Sequence, residues 1–432
     1  MLALRLCSKT NFSERSPDAV LWYAQKEPAE NKERLISMKK LLLSLVLMLW
    51  AVSACAPRIP PVPSLQAQSL PEATPSPSPA PTFTAVPSPT ETLPAPVPSS
   101  GSLLPFTQLT RLDALNGWGV RDTRVLRTTD GGRTWQDVTP SDLHSEMTVT
   151  LSGFFPSAEE AWVCLPALDR YDSGTLYRTT DGGQTWQSAP APFGWANFFR
   201  APASAQTVLA QVSLQGLVEL HRTRDGGQTW ELVMRSTAGD EDAPGRLPVG
   251  MHTQWQIAAQ DEQTLWAAGI SPAVDGLYLY RSGDGGVRWE RRPLDLPQSP
   301  SGFYAEGLRF FDGQSGAFSI FYGSETFQRA FFVTRDGGAS WQLTPGIPAV
   351  GNTWSAPDAL HWWVWDGENL RLSQDGGWTW QTAPANPPET PESLVFSDPL
   401  TGWAVQYDEN GHRLYGTTDG AQTWELLAED VP

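Results

Sequence analysis

Residues 127–135 read RTTDGGRTW, and residues 178–186 repeat them as RTTDGGQTW. The pattern returns as TRDGGQTW around Asp225, SGDGGVRW around Asp284, TRDGGASW around Asp336, SQDGGWTW around Asp375 and TTDGAQTW around Asp419. Seven aspartates, beginning with Asp130 and Asp181, are thus each followed five residues later by a tryptophan: Trp135, Trp186, Trp230, Trp289, Trp341, Trp380 and Trp424. The intervals between aspartates are 51, 44, 59, 52, 39 and 44 residues, averaging about 48, which is the length of one propeller blade. An active site is built once per domain, whereas a structural unit recurs as often as the fold requires. Seven copies therefore mark scaffolding.

Around each copy the chain parses into four short strands. Blade seven shows it most openly, with ESLVFSD, TGWAVQY, HRLYGTTD and QTWELLAE; blade one repeats it as TQLTRLD, NGWGVRD, RVLRTTD and RTWQDVT. In five blades a tryptophan takes the same place in the second strand: Trp118, Trp162, Trp266, Trp363 and Trp403. Blades three and five carry smaller residues there, around Leu209 and Ala317. Seven four-stranded sheets close into a ring that buries both faces of each blade, so the expected fold is an all-β, seven-bladed propeller of antiparallel blades over residues 103–432. The chain enters at an inner strand and leaves at an outer one, so closure rests on side-chain packing or on a short strand at Leu103-Leu104.

The repeated motif falls between strands three and four, where a tight hairpin requires residues that tolerate positive φ. Gly-Gly supplies that freedom. The Asp carboxylate accepts bonds from the turn's own amides, the preceding Thr or Ser does the same more weakly, and the Trp pins the hairpin to its blade. Two copies depart from the pattern. Val287-Arg288 replaces the usual x-Thr in blade four, and Ala421 replaces the second glycine in blade seven, at a cost on the order of 1 kcal/mol if its φ is positive.

These residues resemble the Asp-box, or BNR, repeats of sialidases, sortilin-type receptors, xyloglucan-degrading hydrolases and photosystem II stability/assembly factors. Phe396, Asp398 and Gly402 to Val405, leading into the last box, look most like the assembly-factor group. The resemblance covers about three quarters of the chain. It implies the propeller fold and boxes on the face away from any active site; it does not imply one activity.

The first hundred residues differ in kind. Met38-Lys39-Lys40 precedes Leu41 to Ala54, a 14-residue run suited to a signal h-region and short for a bilayer span. The run ends in Val52-Ser53-Ala54-Cys55, which resembles the lipobox of bacterial lipoproteins, so Cys55 is the expected lipid attachment site. Residues 1–37 read as an over-extended gene start, residues 38–54 as the signal peptide, and residues 55–102, rich in Pro, Ser and Thr, as an extended tether. The implied location is extracytoplasmic, anchored through lipid alone. Beyond Cys7 and Cys55 there is only Cys164, in the apolar setting AWVCL, which reads as a buried thiol.

Of the 30 Lys and Arg and 47 Asp and Glu, 8 and 5 respectively lie within residues 1–54, leaving residues 55–432 a net charge of −20. A field of that sign disfavours nucleic acid as a partner. No phosphate loop, zinc spacing or Ser-His-Asp signature is present, and neither His361 nor His412 has a metal-ligand partner at suitable spacing, so no cofactor and no metal are expected.

Few candidates for function remain. Arg127, Arg178, Arg222 and Arg281 each precede a box in blades one to four, where blades five to seven have Val333, Leu372 and Gly416. Their equivalent placement makes an arc of positive charge, and the resemblance to assembly factors, thought to meet their partner through an arginine-rich patch, implies a docking role. Ion pairing with neighbouring carboxylates is the alternative. Trp362 and Trp378 stand outside the repeat pattern and offer stacking surfaces, or else pack between blades. The polar stretch Ser236 to Gly250 exceeds hairpin length. A sialidase reading would use Tyr304 with Glu306, or Asp169 to Asp172 in a connecting loop; the Arg58-Ile59-Pro60 triplet falls in the tether and lines no pocket. The expectation is a monomeric binding or assembly module for a protein partner, with a surface glycoside hydrolase or glycan-binding protein as the alternative.

Overall fold

A computed structural model describes residues 106–430 apart from 145–148, 168–169, 203, 205, 215, 239–242, 249–253, 272–275, 297–302, 324–326, 350–352 and 409–410. All of them belong to the compact unit Thr90–Pro432. The residues assigned above to the signal peptide, Cys55 and the tether lie outside the described part, as do Arg58 to Pro60 and Leu103-Leu104.

Seven antiparallel sheets follow one another, each from consecutive strands in sequential order, and together they make a seven-bladed all-β propeller. Blade one is Gln108–Arg111, Gly117–Arg121, Arg124–Thr128 and Gln136–Asp137; blade seven is Ser393–Phe396, Gly402–Asp408, Gly411–Thr417 and Glu425–Asp430. Blade five adds a short fifth strand, Ile347–Pro348, on its third strand, Gln328–Thr334. Blade two is longer than its repeat suggests. Its third strand spans Arg170–Thr179, with an irregularity between Pro166 and Ala167 opposite. Arg170 to Asp172 therefore belong to a strand and not to the connecting loop expected for them; the hairpin simply extends past the repeat consensus.

Register confirms the alignment of blades. Trp118, Trp162, Leu209, Trp266, Ala317, Trp363 and Trp403 stand opposite Arg127, Arg178, Arg222, Arg281, Val333, Leu372 and Gly416. Each of these seven second-strand residues is buried in the seam to the following blade, and each seam has its own apolar cluster. Trp118, for example, stacks on Phe155 of blade two at 5.4 Å, and Trp363 on Phe396 of blade seven at 3.9 Å. Burying such rings supplies most of the driving force for closing the ring.

Two seams lack the tryptophan, and each is filled from elsewhere. Beside Leu209 the seam between blades three and four takes Leu247, fully buried, from the Ser236 to Gly250 stretch, whose Gly245 carbonyl accepts from Trp289 N at 3.1 Å. Beside Ala317 the seam between blades five and six takes Trp362, also fully buried, with Phe331 at 4.8 Å. Where a repeat residue is small, close packing favours a larger side chain from elsewhere beside it.

Polar stitches run beside the apolar seams. In five of them a side chain of one blade accepts from a backbone amide at the first strand of the next: Gln108 from Gly153, Ser152 from Ala196, Gln211 from Ile257, Gln256 from Leu308 and Ser355 from Phe396. The seam between blades seven and one closes without strand exchange among the described residues. It rests on Trp403, Trp135 and Phe106, with Tyr407 donating its hydroxyl to Phe106 O at 3.2 Å.

Candidate functional site

The seven boxes are clasps. In blade one the Thr128 hydroxyl accepts from Asp130 N and Gly132 N and donates to Asp130 Oδ1 at 2.9 Å. Thr134 adds its amide on Oδ1 at 2.9 Å and its hydroxyl on Oδ2 at 2.6 Å. The same set recurs on Asp181, Asp225, Asp336, Asp375 and Asp419. In blade four, where Arg288 replaces Thr, Asp284 keeps the amide bond at 2.8 Å and has no hydroxyl on Oδ2. The hydroxyl of Thr229, Ser340 or Thr423, with that residue's own amide, holds the Asp225, Asp336 or Asp419 carboxyl at about 2. A carboxylate so saturated is a poor base and a poor nucleophile.

The tryptophans of the boxes complete each clasp. Trp135 and Trp289 are buried, and the other five are partly buried. Ala421 has φ +64° and is fully buried, so the second-glycine position does demand the left-handed region in blade seven as well.

A second ring of clasps, missed as such in the sequence, lies inside the first. At the turn between strands one and two, Asp113, Asp261, Asp312, Asp358 and Asp398 each accept two turn amides on Oδ1. Ser157 does so in blade two. In six blades the first box glycine then donates its amide to a carbonyl of this inner turn, as Gly131 does to Leu115 at 2.8 Å. The signal was present in the spacing of Asp398 before Gly402, but only the register shows that both rings share one end of the propeller.

The four arginines sit above the seams on this same face. Each guanidinium except that of Arg222 lies over its blade's second-strand indole: Arg127 over Trp118 at 5.7 Å, Arg178 over Trp162 at 5.1 Å and Arg281 over Trp266 at 5.9 Å. Blade three has Leu209 instead. Arg127, Arg178 and Arg222 then reach the first box glycine of the next blade. A Cβ on Gly182, Gly226 or Gly285 would lie 2.5, 2.6 or 2.8 Å from their Nη1 atoms. Glycine is required at these positions by φ of +71° to +74°, while the arginine ends that lie against them are the far ends of flexible side chains and can give way.

Charge divides the arc. Arg178 pairs with Glu160 at 2.9 Å, and Arg222, buried, pairs with Glu231 at 2.9 Å. Among the described residues no carboxylate lies within salt-bridge distance of Arg127 or Arg281. Arg127 borders a crevice of about 500 Å³ with Gln136, Asp137, Asp142, Gln184 and Trp186, and its buried Nε has no hydrogen-bond partner there.

The two tryptophans separate. Trp362 is not a stacking surface: it is fully buried, and its Nε1 donates to Asp358 O at 2.8 Å, because it fills the space left by Ala317. Trp378 is half-buried and forms the wall of a crevice of about 390 Å³ with Val333, Arg335, Asp336, Ser340 and Gln342. Cys164 is buried and its thiol is pushed up to about 12 by desolvation, so it is inert. Tyr304 and Glu306 do sit together on one strand at the opposite end of the propeller, but Oε1 of Glu306 is held by both Arg329 and Trp354 Nε1. Among the described residues no group of three or more His, Cys, Asp or Glu side chains could hold a metal ion.

Residues 177–188 match the model of the family described as BNR/Asp-box repeat. A curated protein of Neosartorya fischeri, described as a probable oligoxyloglucan-reducing end-specific xyloglucanase, is 24% identical over 228 residues; the match takes in 44% of this chain and 27% of that protein. The chain thus spans about a quarter of that relative's length. Among solved structures, YCF48 bound to D1 peptide is 18% identical, with 75% of this chain and 92% of that chain covered at a TM-score of 0.46. The GH74 enzyme of Niastella koreensis is 13% identical, with coverage of 74% and 65% and a TM-score of 0.36. The Hadza microbial sialidase Hz136 is 13% identical, with coverage of 61% and 68% and a TM-score of 0.37.

Proposed function

We propose that this propeller is an exported, lipid-anchored scaffold that holds a protein partner on its box face at the cell envelope, in the manner of a photosystem II assembly factor. The observation that supports it is the contrast on that face. Box carboxylates are held by their own turns, whereas Arg127 and Arg281, at the two ends of the arc, have no carboxylate within salt-bridge distance among the described residues. On a chain of net charge −20 from Cys55 onward, Arg127 at the edge of a crevice walled by the Trp186 indole, with Arg281 over Trp266 at the far end of the arc, suits an acidic, partly apolar segment of another protein. The lipid on Cys55 and the Pro-rich residues after it would hold the ring within reach of a membrane-bound partner.

The test is to capture partners from the membranes of the source organism with the full chain and with an Arg127→Glu/Arg281→Glu variant, and to assay both on sialosides and β-glucans. A partner lost on charge reversal, with no turnover, supports the scaffold. Turnover abolished by one carboxylate substitution overturns it in favour of a surface glycoside hydrolase. Cys55→Ser should release the protein from the membrane fraction; retention would sink the lipid anchor.

A further inference from the structure

Repetition in this ring marks scaffolding, so a place where the repeat is broken at a cost in stability calls for a reason. The seam between blades five and six is such a place. Where five seams use Gln or Ser to hold a backbone amide of the next blade, this one uses Glu306, which accepts from Arg329 of its own blade and, at 3.2 Å, from the indole Nε1 of Trp354 in the next. Arg329 has no exposed surface at all and also donates to Ser319. Burying a guanidinium requires a fixed counter-charge, and such a pair contributes little net stability compared with an apolar seam.

The backbone is also bent to this end. Register slips between Glu306 and Arg309, and Gly307 takes φ +70° with the Trp354 ring so close that a Cβ would lie 2.1 Å from it. Bulges of this kind re-aim a side chain. Here Glu306 is turned so that one oxygen is held by Arg329 and Trp354, while the other carries no hydrogen bond among the described residues on a side chain 19% exposed.

Exposed aromatic rings belong to the same part of the blade: Tyr304 stands opposite Phe321 in the register, one alternate pair along from Glu306 opposite Ser319. Tyr304, two residues earlier on the same face of the strand, is 49% exposed; Phe327 is 39% exposed and stacked on Phe321 at 4.8 Å. First strands run toward the inner clasps, so Tyr304 near the start of Phe303–Phe310 lies at the end opposite the boxes.

We propose that Tyr304, Glu306 and Phe327 form a binding site for a neutral saccharide ring. Its C–H face would stack on an exposed aromatic, and its hydroxyls would donate to the free oxygen of Glu306. Charge selects the class: Arg329 already compensates Glu306, so the site offers a directed acceptor without a net field, which favours a neutral donor over a cation and leaves nothing to clamp an anion. Arg329 and Trp354 are positioning residues. This site is separate from the arginine-bearing face and stands or falls independently of the scaffold reading.

The test is titration of the full chain by saturation-transfer NMR and calorimetry with methyl glycosides of glucose, galactose, mannose and N-acetylglucosamine, with cellobiose, with sialyllactose and with lysine amide. A neutral sugar should bind best, Tyr304→Ala should raise its Kd at least tenfold, and Glu306→Gln should raise it while the thermal transition shows the variant folded. Arg281→Ala, on the other face, should leave it unchanged. Absence of binding by every neutral sugar overturns the proposal, as does tighter binding of lysine amide or sialyllactose, or a Kd within twofold of the parent in both Tyr304→Ala and Glu306→Gln.

Discussion

The indole Nε1 of Trp403 donates to the carbonyl of Gly131 at 3.0 Å across 272 residues of chain. A second-strand tryptophan of the last blade is thereby fastened to the box turn of the first, and Arg111 returns the contact by donating to Gly402 O at 3.1 Å. No shared strand closes this ring among the described residues, so these side chains carry the closure.

Trp403→Ala should therefore lower stability by about 3–5 kcal/mol, the usual cost of truncating a buried Trp, and should do so without changing binding at either face. Urea unfolding followed by tryptophan fluorescence and hydrogen exchange in blades one and seven would measure it. Exchange rising uniformly around the ring, with no excess in those two blades, would count against a local closure role.

Ala317 and Trp362 share one space, so their variants should couple. Trp362→Ala alone should cost about 3–5 kcal/mol and Ala317→Trp alone about 1–3 kcal/mol through overpacking. Combined, they restore a second-strand tryptophan with room to seat it, and the double variant should be more stable than the sum of the two losses. Strict additivity would show that the seam is not filled as described.

At the second box glycine, two substitutions should differ in outcome. Ala421→Gly relieves a left-handed residue by about 1 kcal/mol but removes a buried methyl worth about 0.8 kcal/mol, so Tm should barely move. Gly338→Ala, at φ +84° with a Cβ 2.1 Å from Trp266 Cζ2, should cost more than about 2 kcal/mol. Equal effects would mean that the turn tolerates a side chain in every blade.

Acid should loosen the boxes in a defined window. Asp225, Asp336 and Asp419 sit at about 2, below the ordinary 3.8, chiefly through the hydroxyls of Thr229, Ser340 and Thr423. A depressed carboxyl contributes stability that is fully present above pH ~4 and lost as pH falls toward ~2. The thermal midpoint should thus fall between pH 4 and 2, and Asp419→Asn should flatten that fall. A midpoint independent of pH over this range would remove the boxes as its source.

The fold was legible because it is written seven times. Asp130 and its six equivalents set the period, Trp118 and its equivalents set the register, and both are local patterns that survive without any knowledge of contacts. Ala421 too was readable as a strained position, since the other six copies have Gly there. The functional face was only half legible. Equal spacing placed Arg127, Arg178, Arg222 and Arg281 on one side of the ring, but spacing says nothing of Glu160 and Glu231, which neutralise the middle two. For Trp362 the sequence left stacking surface and inter-blade packing both open, because its neighbour Trp363 already satisfied the repeat; the packing alternative holds, and the space it fills beside Ala317 belongs to another blade.

By itself, then, the chain's sequence determined the number of blades, the clasp chemistry of each box and the place of each seam tryptophan, because these depend on hydrogen bonds and periodicity within about five to fifty residues. Tertiary structure alone decided which charges remain uncompensated, which odd tryptophan is buried, and that Glu306 is held by Arg329 with one oxygen free. Those outcomes depend on what a neighbouring blade or strand puts into a shared space, and desolvation and pairing there are set by distance in three dimensions, not by distance along the chain.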